Sequence, residues 1–448
     1  MNFTDHCDQA LLSNKHAITR SLTHLLAKIA PCRRDLVSDG YDQALDLLAQ
    51  EIPLTIKKFP SGTKCDTWTI PPKWTCRSAK LLSPSGRLIF SDQDTPLRVA
   101  SYSSPFFGLV QREELLAHLH VHPTNPDAIP FKFFYYTRNW GLCCRASEKT
   151  ALTLDKYQVE IDSEFSPGEL KTAEFASAPT GPRLLLCAHL CHPAMANDDA
   201  SGVVVGVEAL KFLSKFSDLP FQIHLLLVPE TIGTIAWLNH PETPLQEISA
   251  GIFLEMLGHN YPFSVQLTLN GQTELDAALI AETTNLNQNS WHAPFPGIIL
   301  NDERQFNGPG FEIPMASLSR VLPMGHPGRP YPEYHTNLDT PERCNPDALF
   351  ESLRAVIRTI LSLSCCQIPK PNFRGEIFLQ NTTFGSELLK NIQQRLDFLK
   401  VATRINGRSS LRQIAHLACL PEKTVRDFIQ KLTADGLVTI QHLPARLP

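Results

Sequence analysis

Four side chains able to hold a divalent cation fall at or just beyond the ends of short apolar runs. His189 closes Leu184-Leu-Leu-Cys-Ala-His, and Asp198 follows in Asn197-Asp-Asp-Ala-Ser-Gly202, a loop that opens a helical pattern. Glu255 sits in Phe253-Leu-Glu-Met-Leu-Gly258, and His335 in the polar stretch Glu333-Tyr-His-Thr-Asn-Leu-Asp-Thr340. Zinc takes imidazole nitrogen and carboxylate oxygen, and a catalytic zinc keeps one position free for water. The metal lowers the pKa of that water and polarises a carbonyl, while a nearby carboxylate serves as general base. Glu230 closes Leu225-Leu-Leu-Val-Pro-Glu and is the candidate base, the rival reading being a direct ligand. His189, Asp198, Glu255 and His335 are the candidate ligands for one or two Zn2+ ions.

Such a set needs a scaffold that delivers strand ends to one edge. From Pro182 onward short apolar runs alternate with helical spacings: a helix over Gly202 to Phe216, a run from Phe221 to Val228, and a third at Ile252 to Met256. Further runs at Leu267-Thr-Leu, Ile298-Ile-Leu and Met315-Ala-Ser-Leu precede a long helix from Pro346 to Ser364. This alternation predicts an α/β fold, a mostly parallel sheet with helices on both faces, whose carboxyl edge binds ligands.

Before it, Phe59 to about Val159 is rich in Pro and aromatic residues, with short alternating runs, and predicts an inserted all-β, jelly-roll-like domain. After it, Leu411 to Leu432 reads as helix, tight turn, helix, and Asp435 to Ile440 as a strand, which predicts a C-terminal winged-helix domain. The expected division is 1–58 with 160–372 for the α/β domain, 59–159 for the insert and 380–448 for the winged helix.

Composition sets the outer limits. The 448 residues are 43% hydrophobic and 19% charged, enough apolar surface for large cores. Lys and Arg total 41 against 45 Asp and Glu, so the chain is not built throughout to coat nucleic acid or anionic membrane. Lys423 and Arg426 in the second C-terminal helix leave nucleic acid as a candidate partner of that domain alone. The N-terminus has no apolar signal segment, and twelve cysteines follow no disulfide framework, so a cytoplasmic location with no membrane association is expected.

Other polar residues carry two readings each. His192 is either an additional ligand or a turn residue before proline, and Asp339 is expected to brace the His335 loop. Asp302, Glu303, Arg304 and Arg320 either recognise a substrate ammonium or carboxylate or form an ion-pair network. Tyr334 either donates to a developing oxyanion or packs. His118, His120 and His122 have period-two spacing but lie at a helix end without accompanying carboxylates, and are not read as a metal site. Nothing marks Cys143 and Cys144 as low-pKa thiols.

The order His189, Asp198-x-x-Ser-Gly202, Glu230, Glu255-Met-Leu-Gly and His335-Thr-x-x-Asp-Thr resembles the zinc aminopeptidase superfamily, which includes glutaminyl cyclases and glutamate carboxypeptidases. Phrases such as His189-Leu-Cys-His-Pro, Pro229-Glu-Thr-Ile-Gly and Asn301-Asp-Glu-Arg-Gln-Phe are similar to a bacterial aminopeptidase-like family with an inserted jelly roll and a C-terminal winged helix. The resemblance implies that Asp198 bridges or holds the centre, that His189 and Glu255 complete one zinc site, that His335 belongs to the other, and that Glu230 is the base. Two positions depart from the superfamily pattern. Thr231 replaces a second Glu that is normally a ligand, and Cys191 replaces the Asp that normally orients the first His. The resulting expectation is a zinc hydrolase acting on a small peptide or aminoacyl amide. The alternative is a metal- or ligand-binding regulator with a DNA-binding winged helix and little or no catalysis.

Overall fold

A computed structural model describes residues 3–178 and 182–445. Eight strands form the main sheet: β1 (Thr55–Pro60), β2 (Glu169–Ala176), β3 (Arg183–His189), β4 (Gln222–Val228), β5 (Ile248–Leu254), β6 (Ser264–Gln266), β7 (Trp291–Ala293) and β8 (Met315–Ser319). Their order is β1-β2-β4-β3-β5-β8-β6-β7. The four central strands, β4-β3-β5-β8, run parallel. From β3 the chain crosses to β4 on one side and then to β5 on the other, so the topological switch lies between β3 and β5. That is where ligand crevices open in such sheets.

The central strands are apolar at nearly every position because both faces are covered. Leu184, Leu186, Leu225, Leu227 and Ile252 join the core beneath the helices Lys15–Ile29, Ala200–Leu213 and Pro346–Ser364. The alternate residues Leu185, Cys187, Leu226, Val228 and Phe253 meet Trp237 of helix Ile232–Leu238 and Phe306 of helix Glu303–Phe306. The run at Ile298 is not a strand. Pro294, Pro296 and Gly297 interrupt it, and the N–H groups of Gly297 and Ile298 donate instead to Gln266 Oε1 at 3.0 and 2.9 Å.

The chain leaves the sheet after Pro60 and returns at Glu169, where β1 and β2 pair antiparallel. Between them Leu88–Ser91, Lys73–Leu82, Lys156–Ser166 and Phe106–Gln111 form one four-stranded antiparallel sheet in that order. The expected jelly roll thus reduces, among the described residues, to this sheet and two two-residue pairings. The strand Lys156–Ser166 runs past residue 159, the expected end of the insert. The Pro-rich segment after His122 runs as a loop towards the α/β edge. There Phe131 N–H donates to His335 C=O at 2.7 Å, and Ile129 N–H to Asn337 Oδ1 at 2.7 Å.

The C-terminal helices Leu411–Ala418 and Glu422–Ala434 are joined by a turn in which Cys419 adopts φ 52°. The following strand, Val438–Leu443, pairs antiparallel with Cys366–Pro371, the segment that leaves the long helix Pro346–Ser364. The expected wing is therefore corrected: among the described residues the C-terminal strand has no hairpin partner of its own, because an open strand edge far upstream in sequence takes that place.

Polar contacts tie these helices to the α/β domain. Ser410 donates through N–H and Oγ to the two oxygens of Glu274, at 2.7 and 2.6 Å. Arg426 donates to Gln367 of the segment after the long helix, while its bond to Glu422 and the pair Lys423–Asp427 stay within their own helix. No helix among the described residues is long and apolar enough to cross a membrane.

Candidate metal centre

The motif Asn197-Asp-Asp-Ala-Ser-Gly202 divides its labour by side chain. Asp199 caps helix Ala200–Leu213: its Oδ1 accepts Gly202 N–H at 3.1 Å and Met256 N–H at 3.0 Å. Ser201 Oγ accepts Leu257 N–H at 2.8 Å, joining this loop to the one after β5. Gly202 has no substitute, since a Cβ there would come within 2.4 Å of Leu254 C=O. With its neighbours so engaged, Asp198 is left to face the crevice.

There it lies between two imidazoles. Asp198 Oδ1 is 3.0 Å from His189 Nε2, and Oδ2 is 3.0 Å from His335 Nε2. Two donors on one tetrahedral zinc stand about 3.3 Å apart, given bonds of about 2.0–2.1 Å, so both pairs have ligand-like spacing. Donor atoms of His192, Asp198 and His335 all lie within 4.8 Å of one another, as do those of His189, Cys191 and His192. Glu255 stands outside both groups. Its Oε2 accepts from Asn301 Nδ2 at 2.9 Å, while its Oε1 is buried without a hydrogen-bond partner.

Charge follows from this packing. Burial alone would raise the Asp198 carboxyl, but His192, His189 and His335 hold it well below the usual range. Burial depresses His192 well below an ordinary imidazole. His189 goes the other way, because Asp198 and Cys191 outweigh its burial. Glu255 is pushed well up by burial and by Glu303 and Asp199, and Asp302 is raised to about 7 by burial and Glu230. A buried crevice this rich in carboxyl groups, with orphaned oxygens on Asp198, Glu255 and Asp302, suits a divalent cation, which would supply the missing positive charge. The donor set therefore fits zinc.

The remaining candidates separate clearly. Glu230 has a 31% exposed side chain, lies 3.5 Å from His192 Nε2, and lines a cavity of about 500 Å³ together with His192 and His335. Asp339, expected to brace its own loop around His335, is bonded instead to the Asp198 loop: it accepts N–H bonds from Asn197 and Asp198 at 2.7 and 3.0 Å, and the hydroxyl of Tyr331 at 2.8 Å. Tyr334 stacks face to face on His335, with centroids 3.9 Å apart. Asp302 accepts Thr231 N–H at 2.7 Å and fixes the loop beside Glu230. Arg320 is corrected: it is fully buried beyond the end of β8, stacked on Phe263 and engaged with Ser352, Tyr261 C=O and Glu351, so it does not meet substrate. His118 stacks on Trp140, and His122 Nδ1 accepts the N–H of Asn125, so that histidine series does not converge.

Two contributors, Arg34 and Phe131, had no signal in local pattern. Arg34 is buried and donates to the carbonyls of Leu190, Met195, Ala30 and Ile29, clamping both ends of the loop that carries His192. Phe131, from the insert, sets its ring against His192 and His335 at 5.0 and 5.4 Å. Cys191 Sγ lies 3.8 Å from His189 Nδ1 and 3.4 Å from His192 Nδ1. Backbone strain also collects here: His192, Thr231, Met256 and His335 all have φ between 52° and 81°.

Comparison with known proteins agrees with this architecture. A Clostridium acetobutylicum protein named for polysaccharide biosynthesis and an aminopeptidase-like domain is 30% identical over 354 residues, covering 79% of this chain and 80% of its own. A crystal structure from the same species, described as that of a peptidase, covers 98% of this chain and 100% of its own at 27% identity and TM-score 0.77. A zinc aminopeptidase from Bacillus subtilis shares the fold at 15% identity and TM-score 0.58, over 78% of this chain and 94% of its own. The family model described as "Domain of unknown function (DUF4910)" matches residues 23–365, and the chain belongs to that family.

Proposed function

We propose that this protein is a zinc-dependent hydrolase of aminopeptidase type, cleaving a small peptide or aminoacyl amide. The observation that carries the proposal is the placement of Asp198 between His189 and His335, with Glu230 facing the adjoining cavity. His189, Asp198 and His335 would hold the metal, with His192 and Glu255 as the nearest further donors. Zinc, when bound, polarises the scissile carbonyl and acidifies water. Glu230 takes the proton of the attacking water and passes it to the leaving amine nitrogen. Its partial exposure keeps that carboxylate reachable from the cavity, while His192 steadies it. Phe131 and the segment around it let the insert wall off the cleft and exclude bulk water.

The test is Glu230→Gln in the zinc-loaded chain, assayed against a panel of dipeptides and aminoacyl amides. The expected result is a fall in kcat of about 10²–10⁴-fold with zinc content retained. Undiminished hydrolysis would remove Glu230 from its role. No hydrolysis by the wild type across the panel would overturn the proposal.

A further inference from the structure

The cavity in front of Glu230 contains one cation that the proposed reaction leaves unused. Arg304 lines it alongside Glu230, Thr231 and His335. Its Nη2 donates to Thr231 Oγ1 at 3.1 Å. Among the described residues its guanidinium is paired with no carboxylate, although Asp302 and Glu303 precede it directly in sequence. Asp302 instead faces Thr231 N–H, and Glu303 accepts from Asn301 N–H and Gln266 Nε2. Arg354, Arg358 and Arg98, by contrast, are each closed by carboxylates.

Thr231 directly follows Glu230, and its hydroxyl orients the guanidinium, so a positive group is held beside the proposed base. A planar guanidinium with most of its five donors free, facing a cavity, is suited to bidentate capture of a carboxylate.

We propose that Arg304 anchors the free carboxylate of the substrate residue that follows the scissile amide. This rests on the hydrolase reading above and narrows its substrate class to dipeptides and comparably short peptide acids. In a dipeptide the carboxylate lies one residue beyond the cleaved bond, roughly 4 Å along the chain. The guanidinium, held by the Thr231 hydroxyl, lines the same cavity as Glu230, the neighbour of Thr231 in the chain. The apolar lining of that cavity, in which Phe133 and Tyr135 stack at 4.4 Å, takes an uncharged side chain.

The experiment compares kcat/KM for an X-Phe dipeptide with that for its C-terminal amide, using the zinc-loaded full chain. Wild type is expected to favour the free acid by about tenfold or more, mainly through KM. Arg304→Gln should collapse that ratio towards one, and Arg304→Lys should restore part of it. Binding of the reduced-amide analogues of both compounds to zinc-loaded Glu230→Gln, with and without Arg304→Gln, is measured in parallel by calorimetry. Turnover with no preference for the acid, or a preference that survives Arg304→Gln, overturns the anchor and leaves the hydrolase standing. Arg304-dependent binding of the acid without turnover of either substrate upholds the anchor and overturns the hydrolase. Neither turnover nor acid-selective binding overturns both.

Discussion

The backbone N–H of Glu230 donates to Cys191 Sγ at 3.1 Å, so the loop after β4 hangs on the thiol of the loop after β3. The same sulfur faces the Nδ1 atoms of His189 and His192. One side chain thus sets the azimuth of two imidazoles and the height of the proposed base. Burial pushes its thiol up, against the pull of His189, which lowers it.

Cys191→Ala should therefore weaken zinc binding by about 10- to 100-fold, the usual cost of losing a group that orients metal ligands. The fold should survive, because alanine fits the same buried volume. Zinc affinity by competition with a chromophoric chelator, together with the thermal midpoint, checks both statements. Cys191→Ser, which keeps an acceptor for Glu230 N–H, should recover part of the loss.

Arg34 predicts a larger structural effect. Its guanidinium reaches Leu190 C=O at 2.6 Å, Met195 C=O at 2.7 Å and Ala30 C=O at 2.8 Å, all out of water. Arg34→Met leaves those carbonyls without donors and should cost more than about 3 kcal/mol of stability, measured by urea unfolding. Zinc affinity should fall as well, since the loop carrying His192 loses its two bonds to Arg34, at Leu190 and Met195.

Acid sensitivity should trace partly to the N-terminal helix. Asp8 of helix Phe3–Ser13 accepts from Arg354 Nε and Nη2 at 2.7 Å each and from Arg358 Nη1 at 3.0 Å. Burial would raise its carboxyl, but the two guanidinium groups outweigh it and hold it below its ordinary value. A depressed folded-state pKa contributes stability above the unfolded value of about 3.9, which is lost as pH falls through the folded value. Asp8→Asn should cost about 1–3 kcal/mol at pH 7, and the gap to wild type should close below about pH 4. Denaturant melts at pH 7, 5 and 3 measure it.

Much of the centre was legible because parallel strands end where they bind. His189, Glu230 and Glu255 each follow a continuous apolar run, and the β3-β4-β5 crossovers bring those ends together. The same position misled for Arg320, because a charged residue past a strand end reads alike whether it faces the crevice or the helix behind it. Arg34 and Phe131 reach the site from segments far away in sequence, and no local period marks such contacts. The missing wing has the same cause, since the partner of Val438–Leu443 precedes the helices it follows. The contact of Thr231 with Arg304 needed three dimensions: the sequence marked both residues but left open whether Arg304 meets substrate or an ion pair, and 73 positions separate them.

The central claim is that Asp198, His189 and His335 hold metal. Its most direct test is zinc per chain by mass spectrometry for wild type, His189→Ala and His335→Ala, after zinc loading and desalting. Wild type should carry one or two equivalents, and each variant should lose about one, with the fold intact by circular dichroism. Wild type that retains no zinc, or variants that retain as much as wild type, would contradict it.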